Sequence, residues 1–565
     1  MNPALVFGAL WLGAAGLRLL LGVQRGGARR GLPARHDSAL SACLAPAIER
    51  RLGGYRQRID HQNALAPHKL DVPRSVLVVG AGIAGMSAAT TLAERGFEVT
   101  LRDKNPYLGG KLGAWTERQE SGEELEVEHG FHAFFRHYYN LDGLLKKIGV
   151  RKNFAAIDDY LIVTHSHERL SFDDRVRTPL LNLLDLQRKG LFRLGEILFT
   201  RARDEMGVFL EYHPEKTFEL YDDVPFSAFA EGAQLPPKLQ IVFNTFARAF
   251  FSEHDRISLA ELVKSFHFYY LSNDSGLLYD YPVEHHETAI LGPWRAHMQG
   301  LGVHVELDRG VNAIAPLRTG FEVDGTRFDA LVLAADVSGV RRVIESSPLL
   351  AQKHPSLSQA LAAVKSSQRY SVWRLWLDRP VRDDVPVFVN TERYRLLDSV
   401  SMYHRITPQA RAWAARHHGS VVELHSYAVP DELADESAVK AAFREELERY
   451  FPELSGATMV HEAFQLKDDF TAFHCGLYAR RPGTVTEADG LVLAGDWVKL
   501  PCPAMLMEAA ATSGLLAANA LLAREGLQEE PVYTVPTKGL MPSRVRPRPT
   551  EDRGASSAPS LAKPR

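Results

Sequence analysis

The clearest pattern along the 565-residue chain is an apolar run, a glycine-rich turn, an Ala-rich stretch and a second apolar run. Val76–Val79 has the composition of a buried parallel strand. The Ala-rich stretch Met86–Arg95 predicts a helix, and Glu98–Arg102 predicts a second strand. Strand, turn, helix and strand in this order predict a βαβ unit.

The glycines between this strand and helix are spaced to suit a bound pyrophosphate. They form the sequence GAGIAG and are Gly80, Gly82 and Gly85. The first permits a tight turn, the second lets the backbone approach a phosphate, and the third lets the helix pack closely on the strand. Asp103 closes the second strand, where its carboxylate would accept hydrogen bonds from ribose hydroxyls. The pattern predicts a dinucleotide site but does not separate FAD from NAD.

Two further segments favour FAD. The first follows Asp103 closely, where glycines would let a second loop pass near the cofactor, and contains Gly109, Gly110 and Lys111. The second is a strand-like LVLAG followed by a helix predicted over Met507–Leu522, and it contains Gly495, Asp496 and Ser513. An acid at a strand end beside a helix suits polyol hydroxyls, whereas an NAD domain has no need for this distant element.

At these residues the chain resembles the flavin amine oxidase and carotenoid desaturase superfamily. Its members share an N-terminal GxGxxG, a nearby GG-Arg/Lys and a C-terminal Gly-Asp followed by a helix. The resemblance implies an extended FAD with its adenosine at the Asp103 end, and with Gly495 and Asp496 at the pyrophosphate and ribityl region. It also implies that the backbone of Val311 contacts the adenine. A helix N-cap role for Asp496 stays open.

One segment indicates a branch of this superfamily. EHGFHAFFRHYYN, from Glu128 to Asn140, resembles the ExGxHxFFxxYxN segment of plant- and cyanobacterial-type phytoene and zeta-carotene desaturases. Arg136 stands where plant-type desaturases have glycine, and FFRHYYN is closer to isorenieratene-synthase-type enzymes, which desaturate a β-ring and shift a methyl group to give an aromatic ring. The resemblance covers roughly residues 74–525. It implies desaturation of a carotenoid or related isoprenoid by hydride transfer to flavin N5.

This chemistry calls for a proton acceptor and an apolar chamber. Glu128 and His132 are the candidates for the acid–base group near the flavin, and Glu128 is also a candidate for stabilising the cation that a methyl shift implies. The candidates for lining the substrate chamber, unless they are ordinary core aromatics, are Phe134, Phe135 and Tyr138. His129 and His132 would share a helical face, but too few carboxylates and no cysteine accompany them, so we predict no metal site.

The N-terminus predicts membrane contact. Pro3–Val23 is apolar and about as long as a bilayer core requires. Four arginines follow by position 35 and favour a membrane-associated enzyme on the cytoplasmic face. A buried or surface amphipathic helix is the alternative. A basic, leucine-rich helix predicted over residues 178–203 is either a second lipid-facing surface or an ordinary amphipathic core helix.

Composition limits the remaining function classes. The formal net charge of -3 does not favour a nucleic-acid partner. The three cysteines form no CxxC pair, so neither a disulfide framework nor a zinc site is indicated. The resemblance implies a hydrophobic isoprenoid as substrate, and the N-terminal apolar run adds the membrane and a quinone, as candidate electron acceptor, to the expected partners. An amine-oxidising flavoenzyme and a non-catalytic flavin- or lipid-binding protein remain alternatives.

Together these patterns predict an α/β protein with a discontinuous Rossmann-like FAD-binding domain and a mixed α+β substrate domain. The predicted order is membrane-contact segment 1–24, linker 25–73, FAD-binding parts 74–150, 296–345 and 481–530, substrate-domain parts 151–295 (mostly helical) and 346–480, and disordered tail 531–565.

Overall fold

A computed structural model describes residues 39–59, 65–119, 122–157, 161–171, 179, 205–275 and 278–543. The predicted membrane-contact run and most of the predicted helix over 178–203 lie outside these residues.

A parallel five-stranded sheet forms the first layer of the fold. Its strands in spatial order are His304–Glu306, Glu98–Arg102, Ser75–Val79, Ala330–Leu333 and Leu491–Leu493. They come from three separate stretches of chain, so the predicted discontinuous Rossmann-like fold is confirmed. Val76–Val79 and Ala330–Leu333 are buried, which explains their uninterrupted apolar sequences.

Two Ala-rich helices, Ile83–Glu94 and Leu506–Arg524, pack against each other beside this sheet. Small side chains allow the close approach, and an added Cβ on Gly514 would lie 2.2 Å from the carbonyl oxygen of Ala84. Among the described helices, Leu506–Arg524 is the one whose length and composition would suit a membrane span, but 67% of its apolar window is buried inside the protein. Its apolar character therefore reflects its place in the core.

A seven-stranded, mostly antiparallel sheet forms the second layer. In spatial order its strands are Met459–Lys467, Tyr370–Leu377, Ser420–Ser426, Ser399–Ser401, Phe388–Thr391, Ile162–Val163 and Arg169–Leu170. Smaller sheets pair Ala114–Arg118 with Glu124–Glu128, place Tyr279–Pro282 between Phe134–Phe135 and Phe154–Ile157, and join Ile314–Pro316, Phe321–Val323 and Thr326–Phe328.

Helices surround these sheets. Within residues 237–272 they are Pro237–Arg248, Leu259–Phe266 and a π-helical turn, His267–Leu271. A longer helix spans Glu436–Tyr450. The other described α-helices are Ala39–Leu52, Tyr139–Lys147, Lys216–Tyr221, Phe226–Ala233, Gly292–Gly300, Val337–Glu345, Pro348–Lys353, Pro355–Ala363 and Pro408–His417.

The predicted disordered tail is wrong over residues 531–543. Val532–Thr534 forms a strand that pairs antiparallel with Gln57–Ile59. Beyond it, the backbone N–H of Gly539 donates to the carbonyl of Tyr212 at 2.8 Å, and Val535 is fully buried. The segment lacks a hydrophobic periodicity that would predict an element, and its structure comes from partners in distant parts of the chain. Residues 544–565 lie outside the described part.

Candidate active site

One cavity joins the two glycine-bearing elements that the sequence singled out. Its volume is about 530 Å³, within the range of ordinary cofactor and ligand sites. It is bounded at one end by Gly80, Gly82 and Asp103, and in its middle by Lys111, Gly495 and Asp496, while its far end is aromatic. Residues more than 390 positions apart in sequence thus share one cleft, as a single extended dinucleotide requires.

The phosphate end of the cavity is built from backbone. Gly82 precedes the helix Ile83–Glu94, no side chain caps this helix, and its first turn carries no acid. Its first N–H groups and the positive end of its dipole are therefore free to bind an anion. Gly80 adopts φ +104°, and an added Cβ there would lie 2.6 Å from the carbonyl oxygen of Ala334. A Cβ on Gly85 would lie 1.9 Å from the carbonyl oxygen of Gly80, so this residue fixes the approach of helix to turn.

Asp103 lies at the predicted ribose end. Its carboxylate accepts the backbone N–H of Ala81 at 2.6 Å and that of Asn105 at 2.8 Å. Burial raises the pKa of this carboxyl, although both N–H donors oppose the shift. Val311 lines the same end of the cavity, together with two arginines that the sequence analysis did not single out, Arg309 and Arg342.

The second glycine-bearing element closes the middle of the cavity. Lys111 Nζ lies 2.7 Å from one oxygen of Asp496, and Thr471 Oγ1 donates to the other at 2.9 Å. Gly109 and Gly110 line the cavity beside this ion pair. Ser513 has a different place: it is buried behind the wall, where its hydroxyl accepts the backbone N–H of Gly495 at 2.8 Å. It therefore positions the strand end and does not face the cavity.

Aromatic side chains form the far end. Phe135 lies 4.8 Å from Tyr269 and 5.3 Å from Tyr279 between ring centroids, and the hydroxyls of Tyr138 and Tyr269 are 2.7 Å apart. All four line the cavity. Phe134 does not, because successive residues of the strand Phe134–Phe135 point to opposite sides. It packs edge-on against Phe154 in the core instead.

His132 lines the cavity between the polar and aromatic ends. Its Nδ1 lies 2.7 Å from the carbonyl oxygen of Gly130, which has no proton to donate. Nδ1 therefore carries the imidazole proton, and Nε2 is left as an acceptor. Burial lowers the pKa of His132 to about 3, with His286 and His129 adding to the effect. The side chain is thus a neutral imidazole with a free lone pair.

Glu128 is placed behind the cavity wall and not on it. Its carboxylate is 1% exposed, accepts the backbone N–H of His286 at 2.9 Å, and pairs with Arg374 at 3.0 Å. Burial opposes ionisation, but His286 and Arg374 outweigh it and hold the pKa of Glu128 well below its usual range. The sequence did not reveal that the Glu128 side chain points away from the cavity, because this orientation depends on Arg374, which lies on the distant strand Tyr370–Leu377.

Two groups of polar residues around the cavity were missed from sequence. Glu423 and His425 come from the strand Ser420–Ser426, where the sequence shows only an ordinary strand pattern. His129, Tyr370 and Asp469 form the second group: Tyr370 Oη lies 2.9 Å from His129 Nε2 and donates to Asp469 at 2.7 Å. His129 and His132 do not share a helical face, since residues 129–133 are not helical. Within the described residues no group of three metal-ligating side chains comes together.

Comparison with known proteins agrees with this geometry. The family model described as "Flavin containing amine oxidoreductase" matches residues 83–522. The carotenoid phi-ring synthase of Streptomyces griseus is 37% identical over 503 residues, which cover 86% of this chain and 96% of the relative. That of Chlorobaculum tepidum is 29% identical over 84% of this chain and 92% of its own length. A putrescine oxidase structure covers 80% of the chain with a TM-score of 0.58 at 16% identity, which shows a shared fold.

These matches confirm the predicted resemblance to the amine oxidase superfamily and the predicted flavin-dependent oxidoreductase. The free helix N-terminus, the glycine cradle and the cleft that joins both glycine-bearing elements fit a flavin nucleotide without further rearrangement of the fold. The chain belongs to the flavin containing amine oxidoreductase family.

Proposed function

We propose that this protein is an FAD-dependent oxidoreductase that desaturates the β-ring of a carotenoid and shifts a methyl group, giving an aromatic ring. The observation that carries the proposal is a single cavity with a backbone phosphate cradle at one end and an aromatic chamber at the other. The similarity to carotenoid phi-ring synthases over almost the whole length of those enzymes supports the same reaction class.

FAD is favoured over a smaller flavin because the GAGIAG turn and Asp103 line the same cavity as Gly495 and Asp496. Gly82 and the free helix N-terminus would hold the pyrophosphate, and Asp103 the ribose. Val311 would contact the adenine, while Asp496, held by Lys111, would face the ribityl chain. When bound, the flavin supplies a hydride acceptor at N5.

The protein's own residues then bind, orient and deprotonate the substrate. Phe135, Tyr138, Tyr269 and Tyr279 offer rings that exclude water and pack against an apolar end group. His132 offers its free Nε2 as a proton acceptor. Its low pKa is no obstacle, because a proton next to a carbocation is strongly acidic, and a neutral imidazole does not repel the cation.

The substrate and the electron acceptor both suit a membrane. A carotenoid dissolves in the bilayer, so we propose that Pro3–Val23 keeps the enzyme on the cytoplasmic face and that a membrane quinone reoxidises the flavin. A single fatty-acyl chain attaches a protein to a membrane only weakly and reversibly, whereas an apolar run long enough to span the bilayer attaches it lastingly.

The test is expression of the chain in cells that accumulate β-carotene, followed by pigment analysis. We expect a new pigment with an aromatic end ring, and loss of that pigment when Gly82 is replaced by Val, which would fill the phosphate cradle. Unchanged β-carotene together with peroxide release from added amines would contradict the proposal and favour an amine oxidase. Tight pigment binding without conversion would favour a carrier.

A further inference from the structure

The strand Ser420–Ser426 brings a carboxylate and an imidazole to the cavity wall. Residues 423 and 425 project from the same face of this strand, because side chains alternate along it. His425 lines the cavity, whereas Glu423 is fully buried behind it. His425 Nε2 lies 2.9 Å from Glu423 Oε1. Carboxylate and imidazole therefore form a dyad whose imidazole faces the substrate space.

Glu423 is held as a carboxylate by several donors. Arg374 approaches its Oε2 with Nη2 at 2.6 Å and Nε at 2.8 Å, and the backbone N–H of Phe131 donates to Oε1 at 2.8 Å. Burial opposes ionisation, but Arg374 and His425 outweigh it and lower the pKa of Glu423. His425 Nε2 makes no hydrogen bond of good geometry here, but a carboxylate oxygen 2.9 Å away would repel a bare nitrogen lone pair. The contact therefore favours the tautomer with its proton on Nε2, which leaves Nδ1 as the acceptor nitrogen.

The charges behind the wall favour a cation in front of it. Arg374 pairs with both Glu423 and Glu128, so one guanidinium faces two carboxylates. All three side chains are at most 3% exposed, which leaves their mutual field poorly screened by water. One guanidinium with two carboxylates leaves a net negative charge behind the wall, and this charge would stabilise a protonated His425.

The dyad and His132 flank the same glycine. The carbonyl oxygen of Gly130 contacts His132 Nδ1, and an added Cβ on Gly130 would lie 3.1 Å from His425 Cε1. Gly130 also adopts φ +136°, so its backbone conformation and this contact together favour the glycine of the ExGxH motif. The arrangement places the imidazoles of His132 and His425 around one region of the cavity.

We propose that His425 is a second proton acceptor of the ring-aromatising reaction and that Glu423 positions it. The assignment rests on the proposed function. Converting a β-ring to a trimethylated aromatic ring removes two hydrides and two protons, and the electrons of each hydride go to the flavin and then to the quinone. In the step assigned here a C–H bond of the ring cation breaks, its electron pair becomes the new ring double bond, and the proton forms an N–H bond at His425 Nδ1.

The experiment compares His425→Gln and Glu423→Gln with the wild type, using purified holoenzyme, detergent-dispersed β-carotene and a soluble quinone. Rates are expressed per bound flavin. His425→Gln is expected to lower formation of the aromatic product roughly 100-fold and to accumulate a ring with one added double bond. Glu423→Gln is expected to lower kcat roughly 10-fold with KM unchanged, and Glu423→Asp to recover part of this loss, because it restores the charge.

Two matched controls distinguish a specific role of the dyad from the general effect of altering a buried polar side chain. His404→Gln alters an imidazole that contacts the same strand, at the carbonyl of Val421, but does not line the cavity. Glu446→Gln alters a buried carboxylate that accepts backbone N–H groups of Arg395 and Leu396, away from the cavity. Both are expected to keep the wild-type rate per bound flavin.

The outcomes distinguish the two proposals. A wild type that makes aromatic pigment, with dyad variants that match it in rate and products, overturns the role of His425 alone. If His425→Gln loses its flavin, the Glu423 variants decide: a rise in KM with kcat unchanged overturns the assignment. A wild type that makes no aromatic pigment overturns the proposed function itself.

Discussion

At the scale of single residues, glycine positions set the distance between the flavin cradle and its supporting helix. Gly514 lies where Leu506–Arg524 crosses Ile83–Glu94, and an added Cβ would meet the carbonyl oxygen of Ala84 at 2.2 Å and Ser87 Cβ at 2.9 Å. Ala84 itself lines the cavity. A side chain at position 514 would therefore displace the first turn of the helix Ile83–Glu94, beside the proposed phosphate site.

Gly514→Ala tests this contact. We expect a loss of about 1–3 kcal/mol in unfolding free energy, as overpacking of a core usually costs, together with a lower flavin content. Urea denaturation and the flavin absorbance of the purified protein measure both. Gly143→Ala is the control, because Gly143 lies on the exposed side of the helix Tyr139–Lys147 with nothing within 4 Å of an added Cβ. It should be neutral or slightly stabilising. Equal behaviour of the two variants would mean that helix spacing does not control the cradle.

Some residues of the site could be predicted from sequence and others could not. The GAGIAG turn could be predicted because its chemistry is local: three glycines, one helix start and one strand end. The partner of Glu128 could not, since Arg374 lies 246 positions away on a strand whose residues look like ordinary core. The choice between Phe134 and Phe135 depended on which face of a two-residue strand meets the cavity, and periodicity cannot assign a face to so short an element.

At the scale of elements, the C-terminal segment from Val532 to Met541 ties distant parts together. Its strand pairs with Gln57–Ile59, its later backbone bonds to Leu210 and Tyr212, and the carbonyl of Pro536 contacts His267 Nε2 at 2.6 Å. Tyr533 exchanges hydrogen bonds with Asn140, at the end of the motif segment that lines the cavity. The segment has the low apolar periodicity of a tail, and only these long-range contacts give it structure.

Deletion of residues 531–565 is therefore expected to destabilise the protein, whereas deletion of residues 544–565 leaves the described segment intact and serves as its control. Val532, Val535 and Leu540 are each at most 7% exposed, and burial of such side chains contributes about 1.5–3 kcal/mol apiece. Thermal unfolding of the two flavin-loaded variants measures the difference. The longer deletion should lower the Tm by several degrees, and a Tm equal to that of the shorter deletion would show that these contacts add nothing to stability.

At the scale of the whole molecule, the parallel sheet and the antiparallel sheets contribute different parts of the cavity. The parallel sheet supplies strand ends and a helix N-terminus, which are backbone features and suit the constant parts of a nucleotide. The seven-stranded sheet supplies the dyad, and a smaller three-stranded sheet with neighbouring helices supplies the aromatic chamber, so these parts depend on side chains that can vary. Similarity to a putrescine oxidase at 16% identity therefore shows a shared fold, while the reaction has to be inferred from the side chains around the cavity.

The proposed membrane role of Pro3–Val23 can be tested by removing that run. The buried core residues of the described part extend from Leu52 to Leu540, with Ile48 of the helix Ala39–Leu52 packed against them. Removing residues 1–24 should thus leave folding and flavin content unchanged. Because Pro3–Val23 has the length of a bilayer core and is followed by Arg25, Arg29, Arg30 and Arg35, its removal should shift the enzyme from the membrane to the soluble fraction.

Turnover of the shortened enzyme should then depend on how the substrate is presented. With detergent-dispersed carotene it should match the full chain, whereas with carotene in vesicles it should fall, because the enzyme no longer shares a phase with its substrate. Replacing Pro3–Val23 by an equally long Leu/Ala run is the control and should restore both membrane attachment and vesicle activity. A shortened enzyme that still sediments with membranes and keeps its vesicle activity would show that another surface meets the bilayer, since attachment would then survive without the apolar run.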